Sequence, residues 1–271
     1  MLIHVCGVFK GGQKSNPCNY RPISLTCIAC KVLQHIVDSH VMKHLDSHRI
    51  LTDVQHGFRA KRLTVTQLII TIHDLEKTIQ DNKSIHATIL DFSKAFDKVP
   101  HQRPFRKYEY YSIRENLLKW FESFLIGCTQ SLICDGSQSK SIMVTFGVPQ
   151  GTVLGPLLFL LYVNDLPANL QSSVRLFADD ALLYGIISNV DDCNRLQADL
   201  LEPDRWQDRW QMKFNPSKCK IICISTKKSS PLKKYVFCGS ELDQVDSVSY
   251  LGVTLRNNLN PFPSKGFPID E

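Results

Sequence analysis

Three acidic residues carry the chemistry that this sequence offers. Asp91 closes a short apolar run at residues 85–92, and Asp179 and Asp180 stand side by side 88 residues later (179 − 91 = 88) between the apolar stretches 175–177 and 181–187. Carboxylates at the ends of neighbouring strands suit phosphoryl transfer assisted by two divalent cations about 4 Å apart, which bridge the attacking and departing oxygens. Hard oxygen ligands favour magnesium, with manganese as a substitute. Each motif alone also has an ordinary structural use: Asp91 can cap a helix starting near Ser93, and Asp179-Asp180 can form a turn. Adjacent acids flanked by apolar residues nevertheless hold like charges close together, at a cost that a bound cation removes.

The elements around these residues must bring them to one place. Residues 85–92 are short, apolar and rich in β-formers, as in a buried strand ending at Asp91. Residues 175–177 and 181–187 read as two short strands joined by a tight acidic turn. A central antiparallel sheet would then join Asp91 to that turn. Apolar residues at helical spacing predict helices at 27–51, 64–81, 116–125, 154–166 and 191–212. A hairpin is expected from 129–134 and 141–146 around Asp135 and Gly136, and further strands at 220–225, 235–238 and 250–255. Lys227, Lys228, Lys233 and Lys234 decorate the connection between two of these and offer a contact for nucleic acid. Residues 257–271 hold three prolines and little periodicity, and read as a poorly ordered tail. The fold class is α+β.

Composition narrows the function classes. With 271 residues, 43% of them hydrophobic, the chain can bury a substantial core, which excludes a disordered protein. The net charge of +6 is compatible with a polyanionic partner without requiring one. Of the ten cysteines, only Cys27 and Cys30 form a CxxC, and no second pair follows at zinc-ribbon spacing. The amino terminus lacks the features of a secretory signal, which favours a reduced intracellular compartment. The longest apolar run, 153–163, is about half of what a membrane helix needs and contains Gly155 and Pro156, so no transmembrane segment is expected. His40, His44 and His48 share one helix face but read as polar surface. Trp206 and Trp210 read as packing residues more readily than as a stacking platform for bases.

Taken in order, the motifs resemble those of the reverse transcriptases of LINE-type (non-LTR, jockey-like) retrotransposons. Leu90-Asp91-Phe92-Ser93-Lys94-Ala95-Phe96-Asp97 is similar to the first palm motif. The run from Gly147 to Pro156 resembles the glycine- and proline-rich second one, and Phe177-Ala178-Asp179-Asp180 the catalytic acidic turn. Upstream, the segment from Asn19 to Leu25 and Gln55-His56-Gly57-Phe58-Arg59 look like fingers motifs. Downstream, the stretch from Trp210 to Cys219, with Phe214-Asn215 and Lys218, resembles the fourth palm motif. Tyr250-Leu251-Gly252-Val253 resembles the primer-holding segment. The resemblance covers about residues 8–255.

This resemblance implies a right-hand polymerase with fingers at 1–84, a palm at 85–226 whose antiparallel sheet is backed by helices, and a primer-holding segment with the start of a thumb at 227–256. Most of the thumb is expected to be absent. It further implies an RNA-directed DNA polymerase that adds dNTPs to a primer 3′-hydroxyl with two magnesium ions. Asp91 and Asp179 would be the principal metal ligands, with Asp180 as a third carboxylate and the backbone of Phe92 as a carbonyl ligand. Phe96 would exclude a ribose 2′-hydroxyl, and Gln150 and Gly151 would lie against the incoming base and sugar. Arg21 would grip triphosphate through its permanently charged guanidinium, with Arg59 and Lys10 as further cationic candidates. Lys218 would steady departing pyrophosphate, and Tyr250, Leu251 and Gly252 would hold the primer end. The implied partners are an RNA template, a DNA primer and dNTPs, with no membrane and no obligate protein partner; the implied location is a cytoplasmic ribonucleoprotein and the nucleus.

Cys128 stands where the family tends to have a basic residue, and Ser112 where glycine is usual. With no endonuclease before the fingers motifs and little chain after Leu251, a second expectation is a truncated, catalytically weak remnant that at most binds nucleic acid. A third, an RNA-dependent RNA polymerase, is disfavoured by Phe96.

Overall fold

The structure is a computed structural model that describes residues 2–134, 136–225 and 233–258. Asp135, Lys227, Lys228 and the part of the expected tail from residue 259 onward lie outside the described residues. The chain begins with β1 (Leu2–Phe9), β2 (Tyr20–Leu25), α1 (Ile28–Ser47), α2 (Thr64–Gln80) and β3 (Ser84–Asp91). It continues through α3 (Arg103–Tyr110), α4 (Glu115–Leu125), β4 (Thr129–Cys134), β5 (Ser137–Gln138), β6 (Ile142–Met143) and α5 (Leu154–Val163). Then follow β7 (Ser173–Phe177), β8 (Asp180–Ile187), α6 (Val190–Trp210) and β9 (Lys220–Ile224). Five short strands end the described chain: β10 (Val236–Phe237), β11 (Ser240–Glu241), β12 (Asp243–Val245), β13 (Ser247–Tyr250) and β14 (Val253–Arg256).

These elements group into two compact units, one of Met1–Asp53, Ser93–Leu166 and Trp210–Met212, the other of Val54–Phe92, Pro167–Arg209 and Lys213–Glu271. In the first, β1 lies between β2 (antiparallel) and β4 (parallel), and β4 also pairs with β5 and β6. The expected hairpin after β4 is thus split: Ile133 faces Gln138 in β5, whereas Gln130 faces Ile142 in β6. Ser139, between them, exchanges hydrogen bonds with Leu132 instead of continuing the ladder. Helix α5 is apolar all round because nine of its ten residues are buried, as expected for a helix surrounded by protein. Among the described residues no helix is long and apolar enough to cross a membrane.

Ser112 and Cys128, where the resemblance leads to the expectation of a glycine and a basic residue, both lie in this unit. Ser112 has φ +63°, the left-handed region that glycine enters without steric cost. Cys128 is buried with Ile3 and Val5, and its thiol points at the Phe124 carbonyl, so a small hydrophobe fits where a cation would need a partner.

The second unit is built on a sheet of order β12-β9-β3-β8-β7. The four strands from β9 to β7 are antiparallel, as expected of the palm sheet, while β12 departs from the expectation by running parallel to β9. Strand β3 sits at the centre with every residue from Ser84 to Leu90 buried, which accounts for its uninterrupted apolar character. On one face Ile85, Ala87 and Ile89 pack with Leu182, Ile222 and Ile224 beneath Leu75 of α2, and Tyr250 and Leu255 close the same cluster. Each fully buried aliphatic of this kind contributes about 1.5–3 kcal/mol. On the other face His86 meets the Tyr235 hydroxyl at 2.8 Å, and burial pushes the imidazole pKa down to about 4.

One expected strand is corrected. Residues 250–255 are a hairpin, β13 to β14, with Tyr250 facing Val253 across a turn at Leu251 and Gly252. Both turn residues have positive φ, +50° and +82°, which a two-residue hairpin turn requires and a strand does not permit.

Candidate active site

The β3–β8 register decides where the acids meet. Asp91, the last residue of β3, is the cross-strand partner of Asp180, the first residue of β8. Directly opposed residues share a face, with Cβ atoms about 4.5–5.5 Å apart. Phe177 pairs with Asp180 across the β7–β8 hairpin, leaving Ala178 and Asp179 as its turn. Ala178 has φ +54°, unusual for a residue with a side chain. All three carboxylates therefore lie at one end of one sheet.

Their electrostatics follow from that crowding. The residue Asp180 is exposed overall, but its carboxyl group is hemmed in by protein. Burial first, then the charges of Asp179 and Asp91, push its pKa up to about 6, against the opposing pull of Lys218. The Lys218 ammonium stands 3.5 Å from Asp91 Oδ2, with 63% of its side chain exposed, a pair that solvent screens. Among the described residues no three acidic, histidine or cysteine side chains close around a single point tightly enough to hold an ion unaided.

The turn after α6 buttresses Asp91. The Asn215 N–H donates to the Asp91 carbonyl at 2.7 Å, and the Asp91 N–H points at the Cys219 sulfur at 3.4 Å. Phe92 bridges to Phe214 and stacks on its ring at 4.1 Å. Lys218 and Cys219 donate their N–H groups back to the Asn215 carbonyl, and this tight turn is what carries Lys218 to the carboxylate. Trp206 is buried and packs against Phe92, a packing role.

A second brace comes from a segment whose part in the site the sequence did not disclose. Val54 and His56 hydrogen-bond Leu176 of β7 from either side, Leu176 N–H to the Val54 carbonyl and His56 N–H to the Leu176 carbonyl. Between them the buried Gln55 carboxamide takes the Ala178 N–H on its oxygen at 2.9 Å and donates to the Ala178 carbonyl at 3.2 Å.

The remaining expected site residues of this unit lie in the β13–β14 hairpin. The Tyr250 side chain is buried and its hydroxyl accepts from Gln67 Nε2 at 3.2 Å; burial raises its pKa to about 12. At the turn of this hairpin Leu251 is half-buried against the core cluster and Gly252 is exposed.

Arg21, Phe96, Gln150 and Gly151 belong to the first unit. Arg21 is exposed on β2, opposite Val8. The Ser24 N–H of the same strand donates to the Gln150 carbonyl at 2.7 Å. Gly151 lies so close that an added Cβ would stand 2.7 Å from Ile23 Cγ2 and 3.1 Å from the Ser24 carbonyl. Glycine is therefore already required by this packing. The Gln150 amide donates to Asp97 Oδ1 at 2.8 Å, which fixes the side chain's direction. Burial raises the Asp97 pKa, opposed by Gln150, Lys94 and Lys10. Asp97 closes the segment that resembles the first palm motif, and its role here is to orient Gln150. Gln34 carries no signal in the sequence: its buried side-chain oxygen accepts from the Val153 and Leu154 N–H groups and so ties the start of α5 to α1. Phe96 is half-buried and stacks on Phe159 at 4.4 Å.

The profile of the reverse transcriptase (RNA-dependent DNA polymerase) family matches residues 12–255. The chain belongs to the reverse transcriptase family. It is 30% identical over 267 residues to the probable RNA-directed DNA polymerase from transposon BS of Drosophila melanogaster. It is 29% identical to the corresponding X-element protein of the same species, and 28% identical to the RNA-directed DNA polymerase from mobile element jockey of Drosophila funebris. Each alignment covers 92% of this chain and 28% of the relative, so the chain spans little more than a quarter of the relatives it matches. The LINE-type, jockey-like resemblance read from the motifs therefore stands. Among solved structures, the apo telomerase of Candida tropicalis superposes with a TM-score of 0.63 at 10% identity, over 94% of this chain and 47% of that one. The Candida albicans telomerase in complex with a fragment of telomeric RNA gives 0.59 at 11%, over 94% and 44%. These likenesses establish a reverse transcriptase and telomerase type of fold with mixed α and β content.

Proposed function

We propose that this chain is an RNA-directed DNA polymerase module that adds deoxynucleotides to a primer 3′-hydroxyl. The observation that carries the proposal is the register pairing of Asp91 with Asp180 beside the Asp179 turn, in a chain of reverse transcriptase family membership. Asp91, Asp179 and Asp180, with the Phe92 backbone carbonyl, would hold divalent magnesium, or manganese in its place. The donor set fits: all its atoms are hard oxygens, and Asp180, whose pKa is raised by burial first and then by the charges of Asp179 and Asp91, is a carboxyl that a cation would help to ionise. When bound, a pair of such ions activates the primer hydroxyl and offsets charge on the leaving pyrophosphate.

The chain's own residues supply the rest. Lys218 stands by Asp91 as a solvent-exposed cation for the departing pyrophosphate. Phe96, steadied by Phe159, is the side chain that would clash with a 2′-hydroxyl. Gln150, held by Asp97, and Gly151, against β2, form a fixed ledge for the incoming base and sugar, and exposed Arg21 takes the triphosphate. The Leu251-Gly252 turn, with Gly252 exposed, holds the primer end. In this division of roles residues 1–84 serve as fingers, 85–226 as palm and 227–256 as the primer-holding segment and start of a thumb. Sequence is copied by base pairing, so the protein contacts backbone and duplex shape, for which a net charge of +6 is adequate.

The test is extension of an oligonucleotide primer on an RNA template with magnesium, supplying dNTPs and rNTPs in parallel. Incorporation of dNTPs over rNTPs supports the proposal. Intact primer–template binding with no incorporation would overturn it in favour of a nucleic-acid-binding remnant, and preferential rNTP incorporation in favour of an RNA polymerase.

A further inference from the structure

We infer that Gln55 is a positioning residue for the acidic turn: its buried carboxamide grips the Ala178 peptide from both sides and so sets the aim of Asp179 and Asp180. The inference rests on the polymerase proposal for its activity readout.

Three observations carry it. First, the grip is complete. Gln55 Oε1 accepts from the Ala178 N–H at 2.9 Å and from the Gly57 N–H at 2.8 Å, while Nε2 donates to the Ala178 carbonyl at 3.2 Å. A glutamine amide carries both an acceptor and a donor at its tip, and here the two meet the N–H and the C=O of one residue, on the two peptide units that flank its Cα. Second, the peptide it holds is in an unfavourable conformation: Ala178 has φ +54°, which an L-residue keeps only when surroundings enforce it. Third, the geometry admits no slack. A Cβ on Gly57 would lie 2.2 Å from Ala178 N and 2.8 Å from its Cα, so the Gln55–Gly57 backbone is pressed against the turn. The backbone on both sides of Gln55 is pinned to Leu176, which keeps the carboxamide in reach. Gln55 is 3% exposed, so it touches no substrate and acts only through the turn.

The alternative for Ala178 is a relaxed, negative φ, which would swing the following residue. Asp179 follows directly, and Asp180 one step later begins β8. Removing the grip should therefore loosen the carboxylates while leaving the sheet, held by its β3–β8 and β7–β8 ladders, in place.

The experiment compares the whole 271-residue chain with Gln55→Leu, which keeps the bulk and removes both hydrogen-bonding ends, and Gln55→Glu, which keeps the acceptor oxygen and removes the donor. Four quantities are read: amide hydrogen exchange over the peptide containing Ala178, Mn²⁺ binding followed by electron paramagnetic resonance, primer–template affinity, and single-nucleotide incorporation. For Gln55→Leu the expected result is faster exchange at the turn, Mn²⁺ affinity and kcat each lowered about 10- to 100-fold, the range for residues that orient metal ligands, and primer–template affinity within about twofold. Gln55→Glu should fall between Gln55→Leu and the parent, and it serves as the folded variant if Gln55→Leu fails to fold. Unchanged exchange and Mn²⁺ affinity in either folded variant would overturn the inference, as would a loss confined to primer–template binding. Exchange and Mn²⁺ binding do not need turnover. A parent chain that binds Mn²⁺ but adds no nucleotide would sink the polymerase proposal while leaving the brace to be judged on those two readouts.

Discussion

Substituting Gly57 by alanine tests whether the approach of residues 55–57 to the acidic turn is as tight as it looks. The added Cβ would sit 2.2 Å from Ala178 N, where ordinary contact begins at 3.4 Å. The two segments must therefore separate by about 1 Å, since backbone atoms cannot rotate aside as a side-chain tip can. That separation stretches the 2.9 Å and 3.2 Å bonds between the Gln55 carboxamide and Ala178 toward or past the hydrogen-bond limit. Overpacking of this kind costs about 1–3 kcal/mol, and each of the two weakened hydrogen bonds about 1 kcal/mol, so a total of about 3–5 kcal/mol is expected. A displacement of about 1 Å at catalytic groups reduces rate about 100-fold. Urea unfolding and single-turnover dNTP incorporation on a primed RNA measure the two effects separately. A Gly57→Ala chain with wild-type stability and rate would refute the packing argument outright. A rate loss matched by an equal loss of primer–template affinity would place the defect elsewhere.

Three other substitutions have definite outcomes. Phe96→Ala should reduce discrimination between dNTPs and rNTPs by at least about tenfold in single-nucleotide incorporation, and an unchanged ratio would remove Phe96 as the sugar selector. Tyr250→Phe should destabilise the chain by about 1–2 kcal/mol, because the Gln67 amide loses the hydroxyl it donates to; primer–template affinity should stay within about twofold, and a large affinity loss would mean that the buried ring, not the turn, serves the primer. His86 predicts a pH dependence. Its folded pKa of about 4 lies below the ordinary 6.5, so on acidification the unfolded chain takes up the proton first. Stability is therefore full above pH 6.5 and falls toward pH 4, by roughly 3 kcal/mol from this residue. His86→Gln should flatten that part of the stability curve, and an identical slope in urea titrations across that range would contradict the assignment.

Much of this was legible in the sequence where the signal was local. The central strand is buried on both faces, so its apolar run stands out, and the acidic pair needs a turn between strands. Long amphipathic helices such as α2 show their period. The elements that escaped depend on distant partners or on atypical residues. Strands β1 and β2 complete a sheet with β4, more than a hundred residues on, and nothing near them announces it. Helix α3 hides because its buried stripe includes Lys107, whose ammonium is satisfied by the Tyr162 carbonyl and Asp165. The β13–β14 turn was read through because Tyr250 and Val253 are both good strand residues, although Gly252 between them marked the break. In the site, the carboxylates were legible because their chemistry belongs to the side chain itself. Gln55, Gln34 and Asp97 were not, because what they do is defined by the group each one holds: a peptide 123 residues away for Gln55, a helix start for Gln34, a neighbouring amide for Asp97.

The central claim is that Asp91, Asp179 and Asp180 act together on a metal-bound nucleotide. Primer extension on an oligonucleotide-primed RNA template with magnesium, comparing the chain with its Asp179→Ala variant, tests it most directly. The expected result is extension by the parent, and none by a variant that still folds and binds the primed template. Full extension by Asp179→Ala would contradict it.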